Sequence, residues 1–485
     1  MARSTRVAPL SDGRDLGVLA GINRETAAGE TDIERVARLI EEHAIETVKV
    51  GGPDLEGVYR GKRMLAGPFL AAVRGHGVAQ CDCLFGWDIA EELIPGLRFT
   101  GWQTGFPDMV MRPDLRTFAV VPWEDRAASV VCDFATESGE PAFIAPRTVL
   151  RRVVERARAM GLAPMTASEL EFRIFRETPE SVRAKRHEDL TPLSPGMSCY
   201  SVYRASGDEF VLSDIRRLMD GYGVTIEGYN REHGQGMYEV NLRYADAMTA
   251  ADQTMLYKNG VKEICAGHGL MASFMAKWDH REDGTSGHFH ASLWDPAGQT
   301  NRFADPDAPH GMSVTMRHFL GGLLATLPDF LLLLAPVVNS YKRFVAGTWA
   351  PTTRTWGIEN RTASIRVVPG HDPRSTRIEH RVPGSDANPY LVAAAVLAGG
   401  LHGIERQIEP GDPIIGNAYD LPISPTDRLP RFLEEAVDRF LASPLPREYL
   451  GEEFVHDYAV TRAWEAAEAR RIVSAWERER YFEMI

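Results

Sequence analysis

Apolar side chains recur at helical spacing over residues 31–45, where Ile33, Val36, Leu39 and Ile40 follow a Thr31, Asp32 start with Glu34 close behind. This pattern predicts an amphipathic helix with a capped start. Residues 46–50 predict a strand, and Gly51, Gly52, Pro53 and Asp54 a turn leading into 55–60. Short strands and turns continue to about residue 134. Residues 135–145 read as a loop, after which Pro146 opens a helix over 147–160 that Gly161 closes. A boundary between a small strand-rich N-terminal domain and a large C-terminal one fits there.

Beyond that helix the period changes to two. Ser168, Glu169, Leu170, Glu171 and Phe172 alternate, placing Glu169 and Glu171 on one face of a strand. Glu232 and Glu239 flank a Gly-rich turn, and the second opens another strand. Residues 287–294 put His288 and His290 on one face, and residues 377–381 align Arg377, Glu379 and Arg381. Taken singly, each stretch has an ordinary explanation: solvated acids on a sheet face, packed histidines, or a surface ion-pair ladder. Taken together, their apolar alternates Leu170, Val240, Phe289 and Ile378 fit one packed layer, so the four stretches describe a sheet with one polar face and one apolar face backed by helices.

Composition narrows the chemistry. The chain has 485 residues and a formal net charge of -13, with 44% hydrophobic and 25% charged residues. Its length exceeds what one core usually supports, so two domains are expected. The acidic balance excludes a nucleic-acid or anionic-membrane partner as the expectation and favours small-molecule chemistry. Five scattered cysteines make a poor disulfide framework and fit a reducing cytoplasm, with Cys81 and Cys83 read as strand or core residues. Residues 1–14 are polar and carry no signal-peptide core. The most apolar window, 319–338, contains Pro328, Asp329 and Pro336, and reads as a buried helix and its following loop rather than a membrane span.

Against this acidic background, residues 339–381 carry Arg343, Arg354, Arg361, Arg366, Arg374, Arg377 and Arg381. Arg binds oxyanions through a bidentate fork, whereas carboxylates bind hard cations. Glu169, Glu171, Glu232, Glu239 and Glu379 with His288 supply enough ligands for two divalent ions, and mostly oxygen donors favour magnesium or manganese. With no P-loop motif present, metal ions and arginines indicate phosphoryl transfer by another fold.

The sequence resembles glutamine synthetase and its γ-glutamyl-amine ligase relatives from about residue 30 to the C-terminus. The resemblance rests on ordered motifs: Asp54 with Gly57, Glu169 with Glu171, Glu232 with Glu239, the run from Asp283 and Gly284 to His288 and His290, Asn339 to Arg343, Asn360 to Arg366, Arg377 to Arg381, and Asn388 to Tyr390. It implies an α+β protein with an N-terminal tail (1–29), a β-grasp domain (30–140) and a catalytic domain (141–485) on a curved antiparallel sheet backed by helices. It also implies a cytoplasmic homo-oligomer of two stacked hexameric rings. The implied substrates are ATP, glutamate and an amine: ATP phosphorylates the γ-carboxylate of glutamate, and the amine then displaces phosphate.

Residue by residue, the resemblance implies that Glu171, Glu232 and Glu239 hold one metal ion and that Glu169, His288 and Glu379 hold the other. Arg343 and Arg381 fall where glutamate binds, with Gly284 contributing backbone. Arg361, Arg366 and Arg377 fall on the nucleotide and phosphoryl side, with His290, Ser292 and Tyr244 near ATP. Asp54 falls on a loop that reaches a neighbouring subunit's site. Two positions depart from the pattern. Ammonia-using members carry a Glu six residues after the glutamate-binding Arg, and here that position is Trp349, an apolar wall with a π-face suited to a larger amine. Asp283 replaces the usual Asn beside glutamate, so its charge needs a partner. Tyr419 resembles a tyrosine that some members adenylylate, and its expected role is that of a structural loop residue. The departure at Trp349 favours an organic amine as nucleophile, whereas Asp283 leaves the acid substrate open.

Overall fold

The computed structural model describes residues 16–24, 29–422 and 424–485. The polar segment 1–14 lies outside the described residues, as does most of the expected tail, although a helix, Leu16–Arg24, falls within that tail and packs on the helix Glu209–Gly221.

Helices and two sheets alternate in an α+β arrangement. The first sheet contains β1 (Thr47–Pro53), β2 (Tyr59–Leu65), β3 (Val78–Cys81), β4 (Asp108–Pro113), β5 (Ala119–Val120) and β6 (Ala127–Ala135), in the order β2-β1-β6-β4-β3 with β5 on β6. β1 lies parallel to β6 and antiparallel to β2. The expected helix is Asp32–Glu42, and its capping box joins Thr31 and Glu34. The expected turn at Gly51, Gly52 and Pro53 is strand instead. Gly51 faces Gly61 across the ladder, and a Cβ at Gly51 would stand 2.3 Å from the Arg60 carbonyl oxygen. Those glycines permit close strand approach rather than chain reversal. The turn comes three residues later, where the Asp54 carboxylate accepts from the Glu56 and Val58 amides and Gly57 takes a positive φ of 76°.

The second sheet carries the polar face read from the sequence. It comprises β7 (Ala163–Phe175), β8 (Ile226–Arg231), β9 (Met237–Leu242), β10 (Ala245–Asp246), β11 (Met271–Ser273), β12 (Gly287–Trp294), β13 (Trp356–Ile358), β14 (Ile365–Val368) and β15 (Arg377–His380). Their order is β13-β14-β15-β12-β7-β9-β8, with β10 and β11 also paired to β7. All pairs are antiparallel except β13 with β14. Leu170, Val240, Phe289 and Ile378 are all buried on the opposite face. The helix Ala247–Gly267 packs on β7, and the helices Val314–Leu334 and Pro389–Arg406 pack extensively on each other. Val314–Leu334 is long and apolar enough to cross a membrane, yet it is mostly buried inside the protein. It runs unbroken through Pro328 to Leu334, and Pro336 falls in the segment that follows. Tertiary burial of its leucines outweighs the hydrogen bond that a proline removes.

Candidate active site

Strand register builds the site. Across β12 and β7, His288 stands opposite Glu169, and across β7 and β9 Glu171 stands opposite Glu239. On the other side, His290 pairs with Glu379 of β15, which pairs in turn with Arg366 of β14. Five strands therefore deliver a continuous row of ionisable groups, and side chains of period two become neighbours across the ladder.

The row is buried. Glu379 is 1% exposed, which excludes a surface ion-pair ladder. Its carboxylate accepts from Arg366 Nη1 at 2.9 Å and pairs closely with Arg381 Nη1. Burial alone would raise its pKa, but the adjacent Arg381 guanidinium holds it down to about 2. Glu169 accepts from His290 Nε2 at 2.8 Å, while Arg377 Nε donates to His290 Nδ1 at 3.3 Å. With Nδ1 accepting from Arg377, Nε2 is the ring nitrogen that donates to Glu169.

Glu171 and Glu239 carry the opposite signature. Burial, followed by the charge of Glu232, pushes Glu171 up to about 8 despite the amide hydrogen bond from Ser286. Burial and the adjacent Glu169, Glu171 and Glu232 push Glu239 far above the ordinary carboxylate range. Four carboxylates this close repel unless protons or cations lie among them. His288 identifies which. Burial and Arg381 press its pKa down to about 3, leaving the neutral ring that ligates metals, and neither ring nitrogen has a hydrogen-bond partner among the described residues. Ligand atoms of Glu169, His288 and Glu379 lie within 4.8 Å of one another. This donor set of carboxylates and one imidazole fits a hard divalent cation.

Two cavities meet at Glu169. The first, about 550 Å³, is lined by Tyr244, His290, Ser292, Trp294, Arg374 and Arg377 among others. Tyr244 stacks on Trp294, with ring centroids 6.4 Å apart, and Ser292 Oγ accepts from the Trp294 indole at 2.9 Å. The second, about 580 Å³, is lined by Glu171, Glu232, Glu239, Asp283, Gly284, His288, Trp349, Arg361, Arg366, Glu379 and Arg381. Arg361 and Arg366 thus stand apart from the cavity that holds Arg377, His290, Ser292 and Tyr244.

Trp349 is 53% exposed and has a φ of 61°, in the left-handed region. Asp283 has a hydrogen-bond partner in its own chain: His233 Nδ1 donates to it at 2.6 Å. Arg343 does not line the second cavity. It is buried behind it, donating to Ser286 Oγ at 3.2 Å and to the Val382 carbonyl. Gly284 makes room for its stem, since a Cβ there would meet Arg343 Cγ at 2.4 Å. Asp54 is not brought to either cavity of its own chain. It is 3% exposed and accepts from Arg60 Nε at 2.7 Å, and burial followed by Glu56 raises its pKa to about 6. Tyr419 donates to the Ala350 carbonyl at 3.1 Å, in keeping with a loop-packing role.

Sequence patterning missed Cys199, Tyr200, Asn230 and His233, which also line the second cavity. Asn230 donates to Glu232 at 2.7 Å. The one available signal was the adjacency of Asn230 and His233 to Glu232.

Over residues 143–481 the chain matches the glutamine synthetase catalytic domain. A glutamate–isopropylamine ligase from Pseudomonas sp is 40% identical over 453 residues, spanning 93% of this chain and 98% of that protein. A γ-glutamylethanolamide synthetase from Streptomyces coelicolor is 40% identical over 451 residues, spanning 93% and 96%. The solved structure of GmaS in complex with ADP aligns with a TM-score of 0.81 at 29% identity, covering 92% of this chain and 99% of that one. With the buried Glu/His row, the two adjoining cavities and these relatives in agreement, the chain belongs to the glutamine synthetase family of ATP-dependent carbon–nitrogen ligases.

Proposed function

We propose that the protein joins the γ-carboxylate of glutamate to an organic amine, such as a polyamine, ethanolamine or alkylamine, forming a γ-glutamyl amide with conversion of ATP to ADP and phosphate. The observation that carries this reading is Trp349, whose indole lines the second cavity at the position where ammonia-using members carry a carboxylate. A neutral aromatic wall offers apolar contact and a π-face to a substituted ammonium, and no charge to ammonium itself. Relatives named for isopropylamine and ethanolamide products support the same class of nucleophile.

In the proposed reaction, a γ-carboxylate oxygen of glutamate attacks the terminal phosphorus of ATP, and ADP leaves. The amine nitrogen then attacks the acyl carbon, phosphate leaves, and a nearby carboxylate takes the proton. An alkylammonium has a pKa of about 10.4, like lysine, so it must be deprotonated at the site. Arg361 and Arg366 face the transferring phosphoryl group, with Arg377, His290, Ser292 and Tyr244 on the nucleotide. Arg381 and, after a swing from its buried position, Arg343 meet the carboxylates of glutamate beside Gly284, and Asp283 meets its ammonium. Asp54 serves a neighbouring subunit's amine pocket.

Two divalent cations, magnesium or manganese, would be held by Glu171, Glu232 and Glu239 and by Glu169, His288 and Glu379, and would neutralise charge on the phosphoryl oxygens. The same reading takes the N-terminal sheet as a β-grasp domain over 30–140, residues 141–485 as the catalytic domain, the assembly as two stacked hexameric rings and the compartment as the cytoplasm.

An ATPase-coupled panel of ammonium and organic amines with glutamate tests the proposal. At least one organic amine should exceed ammonium in kcat/KM by about tenfold or more, a difference of about 1.4 kcal/mol. Ammonium outperforming every amine would leave an ordinary glutamine synthetase, and no metal-dependent ADP production with any of them would leave a catalytically silent relative.

Cation binding has its own readout. Magnesium or manganese at a hundredfold excess over Kd adds about 2.7 kcal/mol to the folded state, or roughly 3–5 °C in Tm. The variant His288→Asn should lose most of that shift in a melt with and without chelator. An equal shift in both proteins would count against His288 as a ligand.

A further inference from the structure

Arg173 follows Glu169 and Glu171 on the same face of β7 and is 1% exposed. Its guanidinium reaches into two loops at once. Nη1 donates to the Gln235 carbonyl at 2.7 Å, in the turn between β8 and β9, and Nη2 donates to the Asp283 carbonyl at 2.7 Å. Glu282 completes the clamp: it stands 3.3 Å from Arg173 Nη1 and accepts from the Gln235 amide at 3.1 Å and side chain at 3.0 Å. Gly234 makes this possible, because a Cβ there would lie 2.5 Å from Arg173 Nη2. The Trp278 ring lies 5.8 Å from the guanidinium carbon.

The arrangement is poorly suited to stability alone. Its one ion pair is long, and Arg173 Nε has no hydrogen-bond partner among the described residues. A buried ion pair of that quality can often be replaced by apolar packing at no loss of stability. What a planar fork supplies instead is fixed geometry between two acceptors. One acceptor belongs to the turn that joins Glu232 to Glu239. The other belongs to Asp283, next to Gly284, and both residues line the second cavity.

We propose that Arg173 is a positioning residue that holds the Glu232–Glu239 turn and the Asp283–Gly284 loop at fixed separation, and so sets the glutamate pocket. This inference rests on glutamate occupying the second cavity. No lining residue of the first cavity belongs to either loop, so the clamp contributes nothing directly to the nucleotide pocket.

The test uses the full-length protein with Arg173→Lys, which keeps the charge but cannot span both carbonyls, and Glu282→Ala, which opens the clamp from the loop side. Both variants should raise the KM for glutamate about tenfold or more while the KM for ATP stays within twofold, and a tenfold change corresponds to about 1.4 kcal/mol. In hydrogen exchange without substrate, the amides of residues 233–236 and 282–285 should lose protection. Should Arg173→Lys not fold, Glu282→Ala carries the same two readouts. Equal increases in both KM values, or unchanged glutamate KM with unchanged exchange, would overturn the proposal. If the wild-type chain uses no glutamate at all, the proposed function fails, whereas the exchange experiment still reports on the clamp.

Discussion

Glu379→Gln is expected to lower kcat by about 10³-fold, the loss typical of removing a group that stabilises developing charge in a water-excluded site. The substitution preserves shape and removes charge at the one residue that bonds Arg366 and Arg381 together and lies 3.5 Å from His288. Breaking a buried ion pair by deleting one partner costs about 3–5 kcal/mol. The effect on folding should fall at the low end, because Arg366 retains Glu359 and Arg381 retains the Arg361 carbonyl. Single-turnover ADP formation beside a thermal melt separates the two effects. A variant that melts normally and turns over within tenfold of wild type would remove Glu379 from the chemistry.

Trp349→Glu should raise the ratio of ammonium to organic-amine kcat/KM by about tenfold. Ammonium and a protonated organic amine can both pair with the new carboxylate, so the ratio moves by the apolar and π contact that the organic amine loses, about 0.5–2 kcal/mol. Backbone strain does not confound the comparison. The left-handed φ at this position disfavours Trp and Glu alike, so the exchange changes the side chain while the turn stays as it is. The amine panel repeated on the variant reads the ratio directly. An unchanged ratio would mean that nucleophile choice lies elsewhere, with Tyr200 and Cys199 on the same cavity wall as the next residues to examine.

The polar sheet face was legible because a strand alternates strictly. Once Glu169, Glu171, Glu239, His288 and Glu379 fell on strands, only register was needed to bring them together, and the apolar alternates gave the other face away. What escaped was everything set by close approach or by loop conformation. Gly51 and Gly61 permit a tight ladder that composition cannot distinguish from a turn. The partner of Asp283 is His233, fifty residues away, and no local pattern links them. Arg343 reads from its motif as a contact for substrate, yet its buried side chain donates to Ser286 and Val382 behind the cavity lining. The arginines of 339–381 divide differently in three dimensions from the grouping the motifs imply, with Arg377 on one cavity and Arg361, Arg366 and Arg381 on the other.

Glu169 is the wall common to both cavities, and its carboxylate is already held by His290 from the side of the first. Any ligand that pulls on that hydrogen bond changes the field felt by the occupant of the other chamber. Binding in the two chambers is therefore thermodynamically reciprocal: whatever factor nucleotide applies to the affinity for the acid, the acid must apply to the affinity for nucleotide. A single glutamate side chain is in this way sufficient to couple what happens in one chamber to what is held in the other.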